Sequence, residues 1–240
     1  MKKNQIKFFI FIGLLIFLWV IGRLTGAILF YRTPTQSMEP TLKLGSIFFV
    51  SNLKKPKRNN IIVFKRTTTE KDGFVEPGKR LTFVHRLIAF GGETLQVKNG
   101  LAYVNGKLVD DSTRLKFNYQ INIEDAQKVA EVLKMDLSNP LNSPFAYSSD
   151  SRHYIIPLSY KEFVNIKVIT QPVRDTTDHF SNILYANDDS KKWTANNYGP
   201  IKIPADCYFV LGDNRNQSSD SRFNGPAPKK DWVGTVIWKK

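Results

Sequence analysis

The chain has 240 residues, with 35 Lys and Arg against 21 Asp and Glu for a net charge of +14, and a single cysteine. One cysteine excludes an intrachain disulfide, so the fold must rest on packing. The basic surplus raises nucleic-acid binding, but the positive residues are scattered, the densest run being Lys54-Lys55-Pro56-Lys57-Arg58, and no helix-turn-helix, zinc spacing or RNA-binding aromatic signature accompanies them; we assign no nucleic-acid partner and read the surplus as attraction to anionic lipid headgroups, worth about 1 kcal/mol per residue near a membrane surface, or as a solvated basic face.

Residues 1–7, whose Lys2, Lys3 and Lys7 favour an inside N-terminus, precede an uninterrupted apolar and glycine run from Phe8 to Gly22. Only Arg23 breaks its continuation to Tyr31, so residues 8–31 are predicted to be a transmembrane anchor, with Arg23 snorkelling toward a headgroup. The alternative is a cleaved signal peptide with Thr25-Gly26-Ala27 as its small-x-small site; the length through Tyr31 exceeds a normal apolar region of that kind, and Ser37 stays on the mature chain either way. Arg32 and Lys43 follow the span closely, so charge alone does not orient it.

Beyond Ser46 the pattern becomes short β runs, Ile47 to Val50 and Ile61 to Phe64, and the pairs Asn99-Gly100 and Asn105-Gly106 predict tight hairpins because both central positions of such a turn need positive φ. A β meander is expected over this part. Residues 110–197 are more polar and partly helical: Asn122 can cap a helix carrying Ala126, Val129, Ala130 and Leu133 on one face, and Ser159-Tyr160-Lys161-Glu162 has capping-box spacing. We read an inserted α+β subdomain there, within a β domain formed by residues 32–109 and 198–240. Cys207 to Leu211 returns the chain to the β core with Cys207 as a small buried hydrophobe, and the last strand spans Trp232 to Trp238. His153 and His179 form no ligand pattern with His85, so no metal and no cofactor is assigned.

Three stretches carry chemistry: Thr35-Gln36-Ser37-Met38-Glu39-Pro40-Thr41-Leu42, Phe83-Val84-His85-Arg86-Leu87-Ile88-Ala89, and Gly212-Asp213-Asn214-Arg215-Asn216-Gln217-Ser218-Ser219-Asp220-Ser221-Arg222. Ser37 has no base beside it in sequence and needs one delivered from elsewhere. His85 lies on one strand face with Phe83 and Leu87, where a histidine is by default a core residue. As a base it is poised near neutrality, with an ordinary pKa of about 6.5 against about 10.4 for lysine. Lys79, in the turn-like Glu76-Pro77-Gly78-Lys79, is the rival base, but a solvated lysine stays protonated.

The first and last stretches resemble the signature boxes of the type I signal peptidases, the bacterial leader peptidases of peptidase family S26, and the middle one falls on that family's Lys-Arg strand with His85 in place of lysine. Gly91 for the usual proline, Glu93 for aspartate and Asn216 for the more common aspartate are further departures. The resemblance implies a mainly β, signal-peptidase-like barrel or sheet domain after one N-terminal transmembrane helix. It implies a serine endopeptidase that removes signal peptides from exported preproteins on the outer face of the bacterial cytoplasmic membrane, with membrane lipid as its other partner. Ser37 would be the nucleophile and His85 the general base, supported by Ser218 and Asp220. The Thr35 hydroxyl and the Ser37 N–H would hold the oxyanion, Pro34, Met38, Leu42, Phe83 and Val84 would line the substrate pocket, and Asp213 and Arg222 would give structural support. The alternative is a catalytically inactive paralogue, its lysine lost, acting as a peptide-binding or regulatory membrane protein.

Overall fold

The computed structural model describes residues 3–68, 76–134, 146–147, 153–166, 171–172, 184–186, 190–191 and 193–239. Helix α1 (Lys3–Thr25) has 23 residues, about 34 Å at 1.5 Å per residue, and is long and apolar enough to cross a membrane. It ends at Thr25 rather than Tyr31. The apolar residues beyond it pair as strand β1 (Leu29–Arg32) against β2 (Ile47–Ser51), which hydropathy cannot distinguish from more helix. The helix end is tied to this sheet: Asn52 donates through Nδ2 to the Thr25 carbonyl at 2.7 Å and through its backbone N–H to the Gly26 carbonyl at 3.2 Å, satisfying groups a helix terminus leaves open.

Strands β3 (Ile61–Thr67), β4 (Arg80–Phe90), β5 (Thr94–Lys98), β6 (Leu101–Val104) and β7 (Lys107–Leu108) follow. The Asn-Gly pairs stand between β5 and β6 and between β6 and β7 with positive φ at all four residues, as their sequence predicts. Next come β8 (Lys116–Asn122), α2 (Ile123–Leu133), β9 (Ala146–Tyr147), β10 (His153–Ser159), α3 (Tyr160–Ile166) and β11 (Gln171–Pro172). Asn122 occupies the N-cap position of α2 but its side chain makes no capping bond, whereas the Ser159–Glu162 box before α3 closes in both directions. The chain finishes with β12 (Tyr198–Lys202), β13 (Cys207–Leu211), α4 (Ser221–Asn224), β14 (Ala227–Pro228) and β15 (Trp232–Lys239).

Three sheets result among the described residues, in the orders β1-β2-β15-β3-β4-β13-β14, β12-β5-β6-β7 and β11-β8-β10-β9. The expected meander holds for β5 to β7 but not for the large sheet, where β15 comes back from the C-terminal end to sit between β2 and β3. The large sheet is packed on both faces: Val50, Val63 and Val84 meet Met38 and Leu42 on one side, while Ile62, Phe64, Leu87 and Val210 cluster on the other. The third sheet and its helices have their own core of Tyr119, Ile121, Val129, Ile156 and Leu158. The 110–197 stretch is not separate throughout, because Leu184 and Trp193 pack with Leu95, Val97 and Phe209 of the main core.

Candidate active site

The first box is an irregular loop whose middle is nailed into the core. Met38 and Leu42 are 0% and 1% exposed, and burying a side chain of that size contributes about 1.5–3 kcal/mol. That burial fixes Ser37 between an anchored Met38 and the exposed Pro34, Thr35 and Gln36. Met38, Leu42 and Val84 were expected to line a substrate pocket; all three are buried in one core cluster, with Val84 at 9% the most exposed of them. Pro34 and Phe83 remain accessible.

Box two meets box one through backbone contacts that require Gly212. A Cβ on that residue would lie 2.1 Å from Ser218 Oγ and 2.6 Å from the Ser37 carbonyl, so only glycine lets the two segments close on each other. The Asn214 N–H donates to the Ser37 carbonyl at 3.1 Å, and Asn214 Nδ2 to the Gln36 carbonyl at 3.3 Å.

His85 sits on β4 opposite Ile62, with its ring tilted against Phe64 at 6.0 Å. It is 3% exposed. Nε2 lies 3.3 Å from Ser218 Oγ, and Nδ1 is buried with no hydrogen-bond partner among the described residues. Burial pushes its pKa down to about 4, against the opposing pull of the Asp220 carboxylate, with Arg66 adding to the depression. The imidazole is therefore neutral at neutral pH. Ser37 Oγ bonds Thr35 Oγ1 at 3.1 Å and is not hydrogen-bonded to His85.

Asp220 was expected to orient the histidine, and the structure engages it elsewhere. It caps α4, accepts from the Gly212 N–H at 3.0 Å, and takes a two-pronged bond from Arg222 at 2.9 Å on each oxygen. Burial alone would raise its pKa, but Arg222 prevails and holds it below the usual carboxylate range. The tie between Asp220 and His85 is thus electrostatic, while the direct contact to the ring comes from Ser218. Lys79 is exposed and paired with Glu76 at 2.5 Å, as a solvated lysine should be.

Sequence reasoning assigned Asp213 a supporting role without naming its partner. Arg86 grips it with Nε and Nη2 at 2.7 and 2.5 Å and also donates to Thr41 Oγ1 at 3.3 Å, joining all three motifs through one guanidinium. Arg215, likewise buried, clasps Asp110 and the Gly212 carbonyl. The available signal was Arg86 itself, a charge within the apolar run from Val84 to Ala89, which can be buried only against a carboxylate. His153 lies on β10 in the third sheet, and His179 falls outside the described residues. Cys207 is half-buried rather than fully so.

A serine hydroxyl, a neutral buried imidazole and a hydroxyl donor beside the serine compose the parts of a nucleophilic acyl-transfer site. The sequence pattern described as "Signal peptidase, peptidase S26" matches residues 3–239. A probable signal peptidase I-2 from Synechocystis is 25% identical over 85% of this chain and 59% of its own length. A signal peptidase I from Buchnera aphidicola is 28% identical over 87% of this chain and 68% of its own. A solved signal peptidase I from Enterococcus faecalis covers 77% of this chain and 98% of its own at 21% identity with a TM-score of 0.33, a superposition that carries no argument. The chain thus spans about three fifths of the Synechocystis relative. Matched from residue 3 to residue 239, the chain belongs to the signal peptidase family, peptidase S26.

Proposed function

We propose that this protein is a membrane-anchored serine endopeptidase that removes N-terminal signal peptides from exported preproteins, with Ser37 as nucleophile and His85 as general base. The observation that carries the reading is the closure of the two boxes over Gly212, which brings the Ser37 backbone and the Ser218–His85 pair to the same point of the fold. When a peptide docks, Ser37 Oγ attacks the scissile carbonyl carbon as its proton passes to the imidazole. The oxyanion is met by the Thr35 hydroxyl and the Ser37 N–H, which has no acceptor among the described residues. The imidazolium then protonates the leaving amine, and water releases the acyl group by the same route. The imidazole approaches Ser37 only in that complex, since catalytic hydrogen bonds often tighten on substrate binding.

Residues 80–85 of β4 pair with β3 on one side and carry no strand partner on the other among the described residues, because β13 pairs only from Arg86 to Phe90. This free edge suits an extended peptide added as a strand, with small side chains near Phe83 and Pro34. The N-terminus faces the cytoplasm and the β domain the outer side. The exposed Phe30, Phe49 and Trp238 adjoin the helix end on β1, β2 and β15, and their apolar face supports contact with the outer leaflet.

Cleavage of a preprotein by the purified full-length protein in detergent, compared with Ser37→Ala, is the test. We expect the alanine variant to lose cleavage by about a thousandfold or more with its fold intact. Full cleavage by that variant removes Ser37 from the mechanism, and no cleavage by the parent on any preprotein favours the inactive paralogue.

A further inference from the structure

The first strand of the insertion is fastened to both catalytic boxes. The backbone of Lys116, at the start of β8, donates to the Asp213 carbonyl and accepts from the Arg215 N–H, each at 2.9 Å, and forms a short parallel bridge with Asn214. Two residues on, the Asn118 N–H donates to Asn216 Oδ1 at 2.9 Å. The Lys116 side chain then turns to the other box: Nζ lies 2.8 Å from Glu39 Oε2, with side-chain exposures of only 14% and 17%. The other Glu39 oxygen accepts from the Leu44 N–H at 3.4 Å, and the Glu39 N–H donates to the Gln36 carbonyl at 3.0 Å, spanning Ser37. Glu39 thus ties both halves of the nucleophile loop, its backbone N–H to Gln36 and its carboxylate to Leu44, and an insertion lysine holds that carboxylate.

We propose that Lys116 is a positioning residue for Ser37, and that through it the insertion is part of the catalytic apparatus. The inference rests on the reading of Ser37 as nucleophile. A mostly buried pair cannot lose one partner without leaving the other charge unpaired, and a carboxylate in that state seeks solvent and carries its loop with it. The effect falls on the reacting geometry more than on peptide binding, since neither Lys116 nor Glu39 belongs to the free edge of β4; small displacements of a nucleophile cost up to about a hundredfold.

The experiment measures kcat, KM and Tm for the full-length protein in detergent, on one preprotein, for Lys116→Met, Glu39→Gln, Lys116→Arg, the exchanged pair Glu39→Lys with Lys116→Glu, and Ser37→Ala. We expect kcat to fall about tenfold in Lys116→Met and Glu39→Gln with KM within about twofold, while Lys116→Arg and the exchanged pair recover to within about threefold of the parent. A parental kcat in Lys116→Met, or a lowered Tm with the kcat of the folded fraction unchanged, overturns the proposal. If the single variants do not fold, Lys116→Arg and the exchanged pair decide: recovery supports it, and loss of kcat in both at a parental Tm overturns it. Full cleavage by Ser37→Ala instead strikes the underlying reading, whereas an inactive Ser37→Ala beside a fully active Lys116→Met removes this inference alone.

Discussion

The two boxes that make the site are held in opposite ways. Around Ser37, which is itself only 8% exposed, residues 34–36 are exposed and the serine oxygen has one hydroxyl for company, with Met38 beneath as the anchor. Around Ser218, by contrast, Asp213, Asn214, Arg215, Asp220, Ser221 and Arg222 are all buried, and three arginine–carboxylate pairs cross the segment: Arg86 with Asp213, Arg215 with Asp110 and Arg222 with Asp220. The difference suits the roles proposed for Ser37 and His85. An attacking oxygen must remain open to its substrate, whereas the groups that shape the base must not move when the peptide arrives.

That contrast is broken most directly by stability measurements. Arg222→Leu leaves Asp220 charged, buried and unpaired, and we expect a loss of about 3–5 kcal/mol in urea unfolding, with cleavage lost alongside. Thr35→Val, in the exposed box, should shift stability by less than about 1 kcal/mol while lowering kcat about a hundredfold through the missing oxyanion donor. Comparable unfolding midpoints for the two variants would sink the comparison.

The next effect concerns His85. Because its pKa is depressed to about 4, the imidazole stays neutral and able to accept a proton down to that range, so kcat/KM should hold from neutrality toward about pH 4 and fall as acid protonates the ring. The same shift couples to folding. The unfolded chain takes up the proton near 6.5 and the folded one near 4, so this residue makes the fold progressively less stable as pH drops through that window. His85→Gln should abolish the activity and remove this contribution to the pH dependence of unfolding. An acid limb near 6.5 would mean that the base is solvated and not the buried ring.

Smaller still is the tuning by Arg66, whose guanidinium lies 4.3 Å from the Phe83 ring centroid and helps depress the His85 pKa. Arg66→Gln should move the acid limb upward, and a downward move would assign the depression wrongly. Lys79→Ala should leave cleavage within about twofold of the parent, since its ammonium is solvated and paired with Glu76. A large loss there would reopen the choice of base.

Much of the architecture was legible locally. The apolar run of α1, the strands Ile47 to Val50 and Ile61 to Phe64, the two Asn-Gly hairpins and the Ser159–Glu162 box each depend on neighbours within a few residues, and hydropathy, turn chemistry and capping report such dependence. The sequence also singled out Ser37, His85, Ser218, Asp220 and Arg222 as candidates, because they stand in motifs whose composition is itself informative. What only the tertiary structure decided is who touches whom. Tyr31 belongs to a strand because β2 pairs with it, β15 lies between β2 and β3, and Met38 is core because Val63 and Val84 cover it. Asp220 faces Arg222 rather than the histidine, Arg86 finds Asp213 across 127 residues, and Lys116 finds Glu39 across 77. Such pairs form where loop closure brings distant charges into a medium that cannot solvate them. No local pattern encodes that partner choice, because the requirement exists only once the core has closed around both groups.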